Sequence, residues 1–111
     1  MLSRLELHTE LCDILGSRNV YYQPPESLRI KYPAIIYSLE GIENLFSGND
    51  IYLQKCTYRI IVVDSDPDSV IVNKIAKLIG FKHVNHYTSD NLNHDVFRVV
   101  RDEKPTKEEK L

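Results

Sequence analysis

The sequence predicts a small single domain of the α+β class, with two helices packed on a mainly antiparallel sheet of four to five strands. Its 111 residues are enough for one hydrophobic core but not for two. Helical and strand-like segments follow in the order helix, two strands, helix, two strands, and turn-forming residues join each strand pair. We expect the domain to span residues 1–101 and the charged residues 102–111 to form a flexible tail.

The first helix is predicted over residues 3–15. Leu7 and Leu11 recur at helical spacing, and Gly16 can adopt the left-handed backbone that ends a helix. Residues 17–33 then contain prolines and tyrosines and are predicted to form an extended connector. A solvated linker rarely carries so many aromatic side chains, so we expect this connector to pack on something.

The first pair of strands is predicted over residues 34–40 and 51–64. Pro33, which cannot donate a backbone hydrogen bond, precedes the first strand. Residues 41–50 include Gly48 and neighbouring asparagines and are expected to form the loop of a long hairpin.

The second helix is predicted over residues 67–79, directly after the second strand. Asp66 is a suitable N-cap, and Pro67 would occupy the first helical position, where proline is favoured. Asp68 would complement the positive end of the helix. Two further strands are predicted over residues 81–88 and 94–101, joined by a polar loop.

Composition disfavours several classes of function. Hydrophobic residues make up 42% of the chain, charged residues 27%, and the net charge is −2, so no strong positive field favours sequence-specific nucleic-acid binding. No apolar run is long enough to cross a membrane, and no signal peptide is recognisable. Cys12 and Cys56 are expected to be reduced, buried residues of an intracellular protein.

The aspartate cluster Asp64-Ser-Asp66-Pro-Asp68 is the strongest candidate for chemistry. A pair of aspartates two positions apart after a strand is how a magnesium-dependent phosphatase holds its nucleophile and its metal. However, Pro67 starts a helix where such an enzyme has a flexible loop, and too little chain follows to complete the site. We therefore interpret the cluster as the junction between a strand and a helix, and we keep the enzyme as an alternative.

Three histidines, His83, His86 and His94, lie in or near the last predicted hairpin. His83 and His86 have metal-like spacing, but strand positions three apart are expected to face opposite sides of a sheet. His94 could meet His86 across the hairpin, which gives two ligands at best. The sequence thus predicts no metal site, no cofactor site and no catalytic residues.

Three segments of the chain carry a resemblance to a known family. They are Tyr32-Pro-Ala-Ile-Ile-Tyr-Ser-Leu39, Tyr58-Arg-Ile-Ile-Val-Val-Asp-Ser-Asp-Pro-Asp-Ser69 and His86-Tyr-Thr-Ser-Asp-Asn-Leu-Asn-His-Asp-Val-Phe97. In order and spacing they resemble the tail completion proteins of tailed bacteriophages and prophages, of the tail terminator type. The resemblance extends over about residues 3 to 100, and the strand-to-helix junction and the last hairpin are its most specific parts.

The resemblance implies a structural role in the virion, without an enzymatic activity. Such proteins form a ring, commonly hexameric, on the head-proximal end of the tail tube, and they are assembled in the cytoplasm of the host bacterium. The implied partners are other copies of the chain, the tail tube protein and a head connector or stopper protein. A neighbouring head–tail connector, either a stopper or an adaptor, is an alternative within the same class.

Exposed aromatic residues outside any predicted core are the candidates for the interface. The predicted interface residues are Tyr21, Tyr22, Pro24, Leu45, Phe46, Asn49 and Tyr52. The residues predicted to order the junction and the last hairpin are Asp64, Asp66, Pro67, Asp68, Asn91 and His94.

Overall fold

The computed structural model describes residues 2–103 and confirms the predicted α+β class, with two helices and a five-stranded, mostly antiparallel sheet. In chain order the elements are α1 (Leu2–Leu15), β1 (Val20–Tyr22), β2 (Ala34–Ser47), β3 (Asp50–Asp64), α2 (Val70–Ala76), β4 (Phe81–Ser89) and β5 (Leu92–Glu103).

The strands lie in the order β1-β2-β3-β5-β4. Strand β1 pairs in parallel with β2, and all other neighbours are antiparallel. The last strand that the structure describes, β5, is thus inserted between β3 and β4. The sheet cannot be completed until this last segment is in place.

Both helices pack on the same side of the sheet, which we call the covered face. Tyr37, Ile60 and Phe97 lie opposite one another on neighbouring strands of this face, and each is at most 1% exposed. Leu7 of α1 and Ile75 of α2 join them in one fully buried cluster. Burial of each such aliphatic side chain stabilises the fold by about 1.5–3 kcal/mol.

The β2–β3 hairpin is longer and its loop shorter than predicted. Residues 41–50 were expected to form a loop, but β2 continues to Ser47 and β3 begins at Asp50. Only Gly48 and Asn49 form the turn. Gly48 has a φ of 65°, and glycine at the first central position is typical of the type II′ turns that close two-residue hairpins.

The hairpin makes the molecule elongated, with extents of 51 × 29 × 22 Å. Pairing between β3 and β5 ends at Gln54, so residues beyond it pair only within the hairpin. We call this outer part of the hairpin, residues 44–54, the arm.

Three further boundaries differ from the predictions. Helix α2 is shorter than the predicted 67–79 at both ends. Strand β1 was predicted only as part of a connector. The predicted tail was expected to begin at Asp102, but Asp102 and Glu103 belong to β5, and the rest of that tail lies outside the described residues.

Candidate functional site

The arm presents two large aromatic side chains to solvent. Phe46 on β2 and Tyr52 on β3 are each 62% exposed, although both belong to regular strands. Leu45 is half-buried, and Asn49 is exposed in the turn. Leu45 and Phe46 therefore lie on a strand rather than in the predicted loop. Asn49 lies in the turn, and Tyr52 lies on a strand, as predicted.

The arm is held in shape by backbone pairing and by a side-chain hydrogen bond, and register shifts below it and within it change its twist. The β2–β3 register shifts between Leu39 and Gly41 and again between Leu45 and Phe46. The side-chain amide of Gln54 donates a hydrogen bond of 3.0 Å to the Asn44 side chain across the base of the arm. Such register shifts increase the local twist, so the arm need not continue the plane of the main sheet.

The second predicted interface segment is largely used inside the domain. Tyr22 is half-buried in β1, with its ring centroid 4.9 Å from that of Tyr37, and the Arg4 guanidinium lies over the Tyr22 ring at 4.4 Å. Tyr21 and Pro24 are also half-buried. The expectation that the connector packs on something is met here, and its aromatic residues are less available to a partner than those of the arm.

Tyr22 and Tyr37 form a cluster beneath α1 with two polar residues of that helix, Arg4 and His8. The Tyr37 hydroxyl lies 2.7 Å from Nδ1 of His8 and accepts a hydrogen bond of 3.3 Å from Arg4. Burial lowers the pKa of His8, and the positive charge of Arg4 lowers it further. Burial raises the pKa of Tyr37. A neutral His8 can therefore accept a hydrogen bond from the Tyr37 hydroxyl, and the cluster anchors α1 to β2.

The aspartate junction consists of two successive side-chain turns. Asp64 Oδ1 accepts a hydrogen bond of 3.0 Å from the backbone amide of Asp66, and Asp66 Oδ1 accepts one of 2.9 Å from the amide of Asp68. This pattern is the Asx turn, in which a short carboxylate replaces a backbone acceptor. The side chain of Asn93 also donates to the carbonyls of Asp64 and Ser65, at 3.3 and 3.4 Å.

The predicted N-cap of α2 was wrong. The capping position is Ser69, whose hydroxyl makes no capping hydrogen bond, and α2 begins at Val70. Pro67 and Asp68 therefore lie in the turn before the helix rather than in its first turn. Asp66 stabilises that turn because it bonds two residues ahead, at a point where the backbone is not yet helical.

The last hairpin closes on a two-residue turn. Asp90 and Asn91 have φ values of 52° and 62°, the left-handed backbone of a type I′ turn. His94 does not join these residues through their side chains. Its Nδ1 donates to the Leu92 carbonyl at 3.1 Å, and its ring stacks on Tyr87 at 4.6 Å.

The histidines were predicted to face opposite sides, and this was wrong for His83 and His86. The β4–β5 register shifts between His83 and Asn85, which adds one residue and brings both imidazoles to the same face. Both donate to the same Oδ1 of Asp95, at 3.0 and 2.8 Å. Asp95 is 8% exposed, so the two imidazoles satisfy a nearly buried carboxylate.

His94 does not meet His86, because it lies opposite Tyr87 on the other face. Within residues 2–103, no group of three or more histidine, cysteine or acidic side chains is arranged to hold a metal ion. Cys12 and Cys56 are free thiols, and burial raises the pKa of each.

A groove of about 510 Å³ runs between the two helices. It is lined by Glu6, Glu10 and Asp13 of α1, by Lys74 of α2, and by Leu78, which follows α2. Arg101 of β5 binds Glu10 at 2.7 Å, so part of its negative charge is compensated.

The side of the sheet opposite the helices, which we call the open face, carries a shallow depression of about 310 Å³. Ser38, Arg59 and Arg98 lie opposite one another across β2, β3 and β5 and line it. Arg98 binds Glu40 through contacts of 2.9 to 3.1 Å. Sequence reasoning missed this depression, since the two arginines are aligned by the pairing of β3 with β5, two strands that are far apart in the sequence.

Comparison with known proteins adds no family assignment: no protein-family model and no curated protein matches this chain. Among the described residues, no helix is both long enough and apolar enough to cross a membrane.

Proposed function

We propose that this chain is a tail completion protein of the terminator type, which forms a ring on the head-proximal end of a bacteriophage tail tube. In this role it ends polymerisation of the tube and presents a surface to the head connector. It acts within the virion, and its partners are its own copies, the tail tube protein and a connector or stopper protein.

The observation that carries the proposal is the arm. A two-stranded hairpin is only marginally stable by itself, and an exposed hairpin with aromatic side chains is a surface that gains stability from a partner. Phe46 and Tyr52 are more than half exposed at a point where the domain core does not use them. Aromatic side chains on such a projection are the residue type that dominates binding energy in protein interfaces.

The resemblance of the junction and of the last hairpin to the terminator family gives the second support. The residues that carry the resemblance have structural partners here: Asp64 and Asp66 accept backbone amides, and Asn91 adopts a left-handed turn. A structural role for these residues agrees with a protein that acts by assembly.

Deletion of the gene tests the function directly. We expect tails of uncontrolled length that do not join heads, measured by electron microscopy of lysates. Phe46→Asp should reproduce this defect, whereas Ile79→Asp, at a fully exposed site outside the arm, should not.

Each alternative predicts a different outcome. Tails of uniform length that fail to join heads would assign the chain to a stopper or adaptor instead. Normal virions with tails of uniform length would refute the proposal as a whole. A defect caused by Asp64→Asn with the fold intact would favour the magnesium-dependent enzyme.

A further inference from the structure

The open-face depression holds two arginines with only one acidic partner. Arg59 and Arg98 are directly opposite each other on neighbouring strands, a position in which like charges repel. Glu40 binds Arg98, but Arg59 forms no ion pair with any residue that the structure describes. The depression therefore has an excess positive charge, and a carboxylate from outside would compensate it.

The arm carries such a carboxylate at its end. Asp50 is exposed next to the Gly48–Asn49 turn, and it has no cationic partner among residues 2–103. Tyr52 lies two positions from Asp50 on the same side of the hairpin, and its ring is 62% exposed, whereas Phe46, which pairs with Ile51, lies on the opposite side. On the rim of the depression, Val84 is 40% exposed and offers an apolar surface to an aromatic ring.

These two surfaces cannot meet within one molecule. Asp50 and Arg59 are on the same strand, β3, and are nine positions apart. At about 3.3 Å per residue, a strand holds them about 30 Å from each other. A contact between them must therefore join two copies, and it joins two different patches.

We propose that the arm of one copy docks in the open-face depression of the next, with the Asp50 carboxylate against the Arg59 guanidinium. This inference rests on the proposed ring, for which it supplies the subunit contact. A contact between two different patches repeats from copy to copy and closes into a ring when the rotation per copy divides the circle. The arm is then the connecting element, and the open face is its receptor.

Cross-linking of purified, concentrated protein tests the contact. The variant Asn49→Cys, Asn85→Cys, made in a Cys12→Ser background, places one thiol at the end of the arm and one at the rim of the depression. A short bis-maleimide should then give a ladder of covalent oligomers on a denaturing gel. Either cysteine alone should not give a ladder, because each contact would then hold only one of the two thiols.

Charge reversal tests the ion pair. Arg59→Glu and Asp50→Arg, each added to the two-cysteine variant, should lower the yield of cross-linked oligomers by about tenfold. Mixing the two charge-reversed proteins should restore it. In alternating copies, the arginine introduced on the arm of one protein faces the glutamate introduced in the depression of the other, and the native pair remains at every second contact. Circular dichroism should show that each variant is folded.

The outcomes separate this inference from the proposed function. Absence of a ladder, or a ladder that Arg59→Glu does not change, overturns the arm contact even where gene deletion gives tails of uncontrolled length. A ladder that depends on both charges supports the contact even where deletion leaves tail length normal, and in that case only the terminator function is refuted.

Discussion

The Tyr37 hydroxyl of β2 and Nδ1 of His8 in α1 lie 2.7 Å apart. The helix residue Arg4 donates to the same hydroxyl. The contact is polar but lies against the core, since Tyr37 is 1% exposed. Only a neutral imidazole can accept the hydrogen bond from the Tyr37 hydroxyl, so this contact depends on the charge of His8.

Stability should fall when the pH is lowered through the titration of His8. Burial lowers the pKa of His8 in the folded protein below its ordinary value of 6.5, so the unfolded chain binds more protons as the pH falls. The stabilising contribution is complete above pH 6.5 and is lost as the pH falls through the folded pKa. Urea unfolding at a series of pH values should show this loss in the wild type and a smaller loss in His8→Gln. Equal pH dependence of the two proteins would contradict the assignment.

Asp66→Ala should lower the free energy of unfolding by about 1 kcal/mol, the net contribution of one hydrogen bond. The alanine removes the acceptor for the Asp68 amide at 2.9 Å. Asp66→Asn is the matched control, because its side-chain oxygen can accept the same amide and should preserve most of the stability. Chemical denaturation measures both. If the asparagine variant is as unstable as the alanine variant, the stabilisation comes from the charge of the carboxylate and not from the hydrogen bond of the turn.

Magnesium or manganese should show no tight binding at the junction, because Asp64 and Asp66 each already accept a backbone amide. Isothermal titration with each ion checks this. Submicromolar affinity that disappears in Asp64→Asn would instead favour the phosphatase-like alternative.

Asn91→Ala should lower the stability by about 1 kcal/mol, because alanine is strained in the left-handed backbone that Asn91 adopts with a φ of 62°. Asn91→Gly, which has no Cβ, should be close to the wild type. Thermal unfolding distinguishes the two variants. Chelators should leave the melting temperature unchanged, and stabilisation by zinc that is lost on substitution of His86 would show that a metal orders this hairpin.

Phe46→Asp should change the free energy of unfolding by less than about 0.5 kcal/mol, as is usual for surface substitutions. Phe97→Ala, at a fully buried position of β5, should cost about 3–5 kcal/mol. Urea unfolding of the two variants shows whether Phe46 contributes to the stability of the folded domain. Strong destabilisation by Phe46→Asp would mean that the ring of Phe46 supports the fold itself.

The sequence was sufficient for the fold class and for most strands, because apolar patterning is local. Prediction from the sequence failed where the conformation of a short segment depends on pairing with a strand that is distant in the sequence. Strand β1 has only three residues and exists because Val20 pairs with Ile35 of β2. The bulge beside His83 is set by pairing with β5, so local alternation could not place His83 and His86 on one face.

One part of the candidate site could also be predicted from the sequence, and another part could not. Phe46 could be selected from the sequence, since it fell in a predicted loop that no core pattern included. Tyr52 was predicted on a strand, and its 62% exposure follows from the length of the hairpin. The depression around Arg59 could not, because it requires the register of three strands. The capping error at Asp66 had another cause: Asx turns and helix caps use the same residue types, and only the backbone conformation separates them.

The position of β5 has a consequence for synthesis on the ribosome. Among residues 2–103, strand β4 has β5 as its only strand neighbour, and Phe97 and Val99 complete the core. A nascent chain that ends before residue 92 can form the β2–β3 hairpin, but its β4 has no strand to pair with, and Glu10 lacks Arg101. Folding of this domain is therefore expected to finish only after β5 has left the exit tunnel, and until then the edges of β3 and β4 that pair with β5 stay unpaired.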